Sequence, residues 1–364
     1  MSVRRNHHLP ALTGLRFILA IWVILHHLTG KGMMLDAWVH TLPDWAQALV
    51  RGGYLAVGTF FVLSGFVLAR SYGHREWNRD SLMKYGIARV ARVYPGYLLS
   101  LAIVSPFIYG ALFNGGSAVE RRGALLADYG LVLQGWTGPL GVGWNTPAWS
   151  LSCEFFFYLC FPVLLAVFGK KTNLRVLTGA LVAIGLPLLL AAFHVPGWYK
   201  PLYHTADFIG GIVASHLFDM LQESNCGVWL YTAAGSLGAV MVAFPSRVFL
   251  DLNTSLRPIN IAILVGLAIG GGLPAKLLST RVLKYLGQAS YSMYILHVPL
   301  LWWYARYVGK GPMLYLAGVI LISAAAYQWF EEPARIRVTQ ALAFAFTPFC
   351  PSHSTRFPKD TPST

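Results

Sequence analysis

Arg16 and His27 lie eleven residues apart within one apolar run of a 364-residue chain. If that run is a helix, eleven steps of about 100° bring the side chain to within roughly 20° of its starting azimuth, about 16 Å further along the axis. One face then presents a fixed cation and a titratable imidazole at different depths. Arginine inside an apolar span costs roughly 2.5–3.5 kcal/mol at mid-bilayer, less where it snorkels from near one end. A charge retained at such a cost calls for a functional reading. An imidazole with an ordinary pKa of about 6.5 can accept a proton at physiological pH or act as a nucleophile. His26 is offset by about 80° from Arg16, so the chemistry is assigned to His27.

Other polar residues inside apolar runs fall into a few sets. Arg89 and Arg92 stand three apart in Arg89-Val90-Ala91-Arg92, a spacing that lets both guanidinium groups aim at one anion, with phosphate the natural partner. Ordinary charge anchoring of a helix end is the plainer alternative. Trp149, Ser150 and Glu154 open another run, with Ser150 and Glu154 on one face at i, i+4. An interfacial Trp and a capping Ser would explain the first two and leave Glu154 without a reason. Ser290, Tyr294 and His297 form a stripe at i, i+4, i+7; a lone His in such a helix is more often packed than catalytic. Glu331-Glu332-Pro333 closes the last run, Pro marking the stop. Glu331 is read either as solvated or as neutralising a basic cluster.

These residues must be positioned by membrane helices. Hydrophobic residues make up 56% and charged residues 12% of the chain, with mean hydropathy +0.55. That is about half the charge of an average soluble domain. The formal charge of +14 is spread in short clusters between apolar runs, which fits positive-inside sorting and not a nucleic-acid surface. Apolar runs fall near 11–30, 53–69, 93–113, 148–168, 174–193, 203–219, 228–245, 256–273, 288–305 and 313–330, each close to the roughly 20 residues a span needs. The expected fold is all-α, a polytopic transmembrane bundle of about ten spans with both termini cytoplasmic. Leu125 to Trp136 is short and contains Asp128, so it is read as re-entrant or interfacial. Were it to cross, Lys170, Lys171 and Arg175 would face outward, against the charge rule.

Residues 1–340 are read as one transmembrane domain and 341–364 as a disordered cytoplasmic tail. The start, Met1 to Pro10, resembles a signal peptide, yet Arg16 interrupts the apolar run and no small-x-small site follows, so an uncleaved first helix is expected. Cys153 and Cys160, seven apart on one helix, are separated by about 10.5 Å of rise, beyond the roughly 7 Å reach of a disulfide. The Gly270–Gly272 run is read as a helix end. No Cys-x-x-Cys or His-Glu-x-x-His pattern suggests a metal.

Together the motifs carry a family resemblance. Arg16 and His27, Gly58-Thr59-Phe60-Phe61-Val62-Leu63-Ser64-Gly65-Phe66, Arg89 with Arg92, Trp149-Ser150-Leu151-Ser152 through Glu154 to Pro162, Leu286-Gly287-Gln288-Ala289-Ser290-Tyr291-Ser292 with His297, and Phe330-Glu331-Glu332-Pro333 occur in order. In this the chain resembles the acyltransferase-3 family of integral membrane O-acyltransferases. Phe155 and Phe156 stand where many members have Glu and Gln, and His204 with Asp207 where an Arg-x-x-Glu is common; those departures bear on the fine substrate.

The resemblance implies transfer of an acyl group, most simply acetyl, from cytoplasmic acetyl-CoA as co-substrate to a sugar hydroxyl of a cell-surface glycan. His27 would be base or acyl carrier, and Arg16 would contact the donor or stabilise developing negative charge. Arg89 and Arg92 would bind donor phosphates. Trp149, Ser150, Glu154, Tyr294, His297 and Glu331 would contact substrate or support the site. The implied setting is the bacterial cytoplasmic membrane. Expected partners are membrane lipids, a lipid-linked oligosaccharide or exopolysaccharide acceptor, which a xanthan-like mannose would exemplify, and glycan-assembly proteins. No metal and no nucleic acid are implied. With no hydrolase-like domain after the spans, the acceptor is expected to meet the membrane domain or another protein. A secondary transporter or flippase is the main alternative; it predicts repeat symmetry or paired broken helices, which the sequence lacks. A non-catalytic assembly subunit would need neither Arg16 nor His27.

Overall fold

The computed structural model describes residues 9–113, 122–138, 143–169, 172–248, 251–309 and 311–346. Lys170 and Lys171, used above for topology, lie outside them, as do residues 1–8 of the expected uncleaved start and residues 347–364 of the expected tail. The described residues are helical, without a strand: α1 (Pro10–Leu28), α2 (Asp36–Val39), α3 (Asp44–Arg51), α4 (Ala56–Tyr72), α5 (Arg79–Phe113), α6 (Arg122–Gly130), α7 (Trp149–Phe168), α8 (Asn173–Ala192), α9 (Lys200–Leu221), α10 (Gly227–Ala243), α11 (Leu252–Ile269), α12 (Gly272–Leu278), α13 (Arg281–Gln288), α14 (Ser290–Tyr307), α15 (Pro312–Ala326) and α16 (Glu332–Phe346).

Seven stretches are long and apolar enough to cross a membrane: Pro10–Leu28, Asp44–Tyr72, Arg79–Tyr109, Thr146–Phe168, Asn173–Ala192, Leu252–Ile269 and Pro312–Phe346. Among the described residues this is a polytopic helical membrane protein. The three remaining runs expected to span are also helices. The first, α10, has only 17 residues. The other two, α9 and α14, carry His204, Asp207 and His216, and Ser290, Ser292 and His297 respectively. They are the inner helices of the bundle; in α14 every residue from Ser290 to Pro299 is buried. Protein neighbours rather than lipid meet their side chains, so polar residues can be satisfied there and hydropathy falls. Outward-facing positions of other helices instead carry Leu159, Trp229 and Trp329, about four-fifths exposed at 80%, 79% and 78%.

Backbone close approach fixes where the key helices sit. A Cβ on Gly65 of α4 would lie 2.1 Å from the Phe208 carbonyl oxygen, and one on Gly211 of α9 would lie 2.1 Å from that of Val62. Small residues at a crossing let membrane helices pack backbone to backbone. The first helix is gripped the same way, since a Cβ on Gly14 would meet the Leu278 oxygen at 2.0 Å and one on Gly287 the Thr13 oxygen at 1.8 Å. Depth and rotation of α1, and with them the aim of Arg16 and His27, are set by these contacts.

Two local expectations change. Pro333 does not stop the chain. Tyr327–Glu331 form a π-helical turn and α16 runs on to Phe346, across residue 340. A wider turn accommodates a residue that lacks the N–H of an α-helical bond. It also separates two adjacent acids: Glu331 turns inward, buried, while Glu332 bonds Arg335 at 2.5 and 3.0 Å. The stretch 125–136 is not one helix. Its helical part ends at Gly130, and turns follow in which Gln134 donates to Tyr97 Oη at 2.6 Å and Gly135 N–H donates to Ser152 Oγ at 2.9 Å. The segment caps α5 and α7. At the glycine run, Gly270, Gly271 and Gly272 take φ of 87°, 89° and 69°, left-handed values that suit glycine and end α11.

Candidate active site

A cavity of about 160 Å³ opens between α1, α4, α5, α7 and α14. Its polar lining is Arg16, Arg89, Arg92, Glu154, Ser150 and Tyr294, with Tyr158, Ser64, Ser290 and Tyr291 beside them. Five helices that are distant in sequence bring these residues together.

The three guanidinium groups are held differently. Arg92 Nη1 donates to Glu331 Oε1 at 2.5 Å, and the other Glu331 oxygen accepts from Ser292 Oγ. The Arg92 guanidinium also lies 5.2 Å from the Tyr291 ring centre. Glu331 thus neutralises Arg92 and ties α5 to α14 and to the π-turn. Arg89 has no carboxylate partner among the described residues. It donates to Tyr72 Oη at 3.3 Å and sits between the rings of Tyr72, Tyr85 and Tyr158 at 5.6–5.7 Å, with Nε buried and unbonded. Arg16 has neither ion pair nor hydrogen bond among the described residues, and its Nε is buried without a partner. The cavity therefore offers Arg16 and Arg89 to an anion, with Arg92 already half committed. Glu154 is the one carboxylate in the lining, and it forms no ion pair among the described residues.

His27 is not in this lining. Arg16 and His27 share a face of α1, but the 11-residue rise of about 16 Å separates the two side chains, so Arg16 lies at the cation cluster and not beside the imidazole. His27 instead meets His297: Nδ1 of His27 lies 3.3 Å from Nε2 of His297 and 3.0 Å from the Val23 carbonyl oxygen. The rings are 4.9 Å apart at 60°. Nδ1 of His297 lies 2.6 Å from the Tyr294 carbonyl oxygen, and the His297 carbonyl accepts from Tyr315 Oη at 2.6 Å. Tyr294 joins the two places, because its ring lines the cavity and lies 6.0 Å from the His297 ring. His26 is occupied elsewhere, its Nδ1 2.6 Å from the Arg51 carbonyl oxygen.

Of the remaining candidates, Ser150 lines the cavity and donates to the Pro147 carbonyl at 3.0 Å. Trp149 is not in the lining; it lies beneath Lys200 Nζ at 3.9 Å from the ring centre and beside His204 at 5.5 Å. Ser290 Oγ is buried without a hydrogen bond. Among the described residues no three His, Cys, Asp or Glu side chains gather as a metal site. Cys153, Cys160 and Cys226 are free thiols.

Two groups were not legible as clusters in the sequence, although His204 and Asp207 of the second stand out there as departures from the family pattern. The tyrosines around Arg89 come from three helices; only Tyr158, four residues after Glu154, carried a local signal. The second group is a buried charge cluster: Asp207 accepts from Arg257 Nε at 2.6 Å and bonds His204 Nδ1 at 2.8 Å, while Arg257 Nη1 donates to the Ala183 carbonyl at 2.5 Å. Arg257, at the start of an apolar run, was the signal, since such a charge needs a partner.

The acyltransferase-3 family, described as an acyltransferase domain, matches residues 9–328. Acyltransferase MdmB of Streptomyces mycarofaciens is 29% identical over 320 residues, covering 79% of this chain and 78% of that protein. O-acetyltransferase OatA of Staphylococcus aureus is 24% identical over 374 residues, covering 93% of this chain and 59% of OatA. The chain thus spans less than two thirds of the length of that relative. No solved structure is a significant match.

Proposed function

The chain belongs to the acyltransferase-3 family, as a membrane O-acyltransferase, and we propose that it moves acetyl or another short acyl group from cytoplasmic acyl-CoA to a sugar hydroxyl of a cell-surface glycan. The acceptor is an exopolysaccharide or its lipid-linked precursor, of which a xanthan-like mannose is one case. The setting is the bacterial cytoplasmic membrane, with both termini inside.

One observation carries this reading: a cavity with unmatched guanidinium groups is lined by Tyr294, whose ring adjoins the His27–His297 pair at the other end of α1. In the proposed topology Arg89, Arg92 and Arg16 lie toward the cytoplasm, where a phosphate-bearing donor arrives, and His27 lies toward the outside, where a glycan does. Arg89 and the free edge of Arg92 take donor phosphates by charge-assisted bonds. Arg16, deeper, compensates negative charge on the donor as it enters the bundle. At His27 the acceptor oxygen attacks the thioester carbonyl carbon, its proton passes to the imidazole, and the C–S bond breaks as the thiolate leaves. Alternatively His27 first takes the acyl group and the hydroxyl then attacks the acyl-imidazole. Both routes need an unprotonated ring nitrogen.

Mass analysis of the host's glycan with and without the chain tests the reaction class. Loss of one O-acyl mass per repeat is the expected result. An unchanged O-acyl content with a changed amount of exported glycan would point to transport and overturn the proposal.

A further inference from the structure

The hydrogen bonds from the two histidine rings to backbone carbonyl oxygens have a fixed direction. Carbonyl oxygens only accept, so His297 must carry its proton on Nδ1 to bond Tyr294 O at 2.6 Å. A neutral His297 then has a bare Nε2, and this atom faces Nδ1 of His27 at 3.3 Å. The other neighbour of His27 Nδ1, the Val23 oxygen at 3.0 Å, is also an acceptor. With acceptors on both sides, Nδ1 of His27 is the protonated nitrogen and Nε2 is the bare one. His27 Nε2 makes no hydrogen bond among the described residues.

We propose that His297 is a positioning residue that selects the tautomer of His27, holding Nε2 free as base or nucleophile. It also shares the charge when His27 takes up a proton, because the Nδ1–H of the imidazolium then makes a charge-assisted bond to a neutral acceptor. This rests on the reading that His27 carries the proton or acyl chemistry.

The pair does what a carboxylate does behind many catalytic histidines, where an acceptor on one ring nitrogen fixes the state of the other. Inside an apolar span an ionised carboxylate without a counter-charge would be costly to bury. An imidazole acceptor orients His27 while staying neutral in the resting state. His297 is itself immobilised: it is fully buried at 0% exposure, and both its Nδ1 and its carbonyl oxygen are engaged. His26 makes no hydrogen bond to His27 among the described residues: its Nδ1 is held by the Arg51 oxygen at 2.6 Å and its ring stands edge-on to His27 at 81°.

The test uses the full-length protein in membranes, with acetyl-CoA as donor and the isolated glycan as acceptor. His297→Leu removes the acceptor atom and His297→Gln restores one at similar reach. Leu should lower kcat by about 10²–10⁴-fold with little change in donor KM, the range expected when a general base loses its working state. Gln should recover at least about tenfold of that loss. A kcat for His297→Leu within about twofold of the unmodified protein would overturn the proposal, and so would a Gln variant no more active than Leu. A second measurement is independent of turnover and of variant folding: nitrogen NMR of histidine-labelled protein should find His27 protonated on Nδ1. A proton on Nε2 would overturn the assignment. If His27→Ala itself retained transfer, the functional reading would be lost; an inactive His27→Ala beside a normal His297→Leu would remove only the present inference.

Discussion

Two groups of buried charge share this bundle and are satisfied in opposite ways. In the Asp207 cluster each charge is answered: both carboxylate oxygens are bonded, to Arg257 and to His204, and Arg257 has a backbone carbonyl as well. In the cavity between α1, α5 and α7, Arg16 and Arg89 keep nitrogens that nothing in the described residues satisfies. A matched cluster holds helices together, whereas unmatched cations in an apolar setting are a standing cost that a ligand removes. Arg92 stands between the two, bonded to Glu331 yet still lining the cavity.

Mutation should separate the two groups, most strongly in the matched one. Removing one member of a buried pair leaves the other uncompensated and typically costs about 3–5 kcal/mol. Asp207→Ala and Arg257→Ala should each lower the unfolding midpoint in detergent sharply and reduce the protein level. The double variant Asp207→Leu with Arg257→Met should recover much of the loss. A stable Asp207→Ala protein would break the comparison. By the same reasoning Arg92→Ala should destabilise more than Arg89→Ala, and Glu331→Gln should soften the effect of losing Arg92.

In the unmatched group the effect should move from stability to binding. Arg16→Ala and Arg89→Ala should fold as well as the unmodified chain and weaken donor binding by roughly 10- to 100-fold, the worth of one or two bonds to a charged group. Arg89→Lys should be nearly as weak as Arg89→Ala, since lysine lacks the planar fork and stacks less well among three tyrosine rings. Unaltered donor affinity in Arg89→Lys would reduce that residue to a topological anchor.

The smallest effect is expected at Asp128. Burial pushes its carboxyl above the usual carboxylate range, against a bond from Thr137 at 2.9 Å, and its second oxygen is unbonded. Because the folded value is raised, folding favours the protonated form. That contribution is present below the ordinary carboxylate pKa and lost as pH rises through the raised value. Asp128→Asn should therefore be neutral or slightly stabilising, by less than about 1 kcal/mol at pH 7, and the difference should vanish in acid. Thermal unfolding at two pH values measures it; a marked loss of stability in Asp128→Asn at neutral pH would contradict this.

What the sequence made legible follows from which signals are local. Helical spans announce themselves through apolar length, and the α1 face bearing Arg16 and His27 follows from helix geometry alone. Runs at α9 and α14 looked like ordinary spans, yet their polar residues belong to inner positions, a distinction that depends on neighbours. The Pro333 expectation failed because proline excludes an α-helical bond but not a π-turn. Arg89 and Arg92 looked equivalent at three residues' spacing. Only the fold, by bringing Glu331 from 239 residues away to Arg92, makes one partly occupied and leaves the other open. His297 was visible as one of a stripe, but its partner across the bundle was not, since a contact between residues 270 apart leaves no trace in local spacing.

In the proposed reaction His27 performs the acyl chemistry while the cations of the cavity serve the donor. The most direct test is the O-acyl content of surface glycan from cells carrying His27→Ala, compared with His26→Ala at matched protein level. The two residues are adjacent and identical in type, so costs of membrane insertion nearly cancel. His27→Ala should abolish O-acylation, and His26→Ala, which loses a bond to the Arg51 carbonyl and ring contacts with His27 and Tyr54, should retain most of it. Substantial O-acylation by a well-expressed His27→Ala protein would remove His27 from the chemistry.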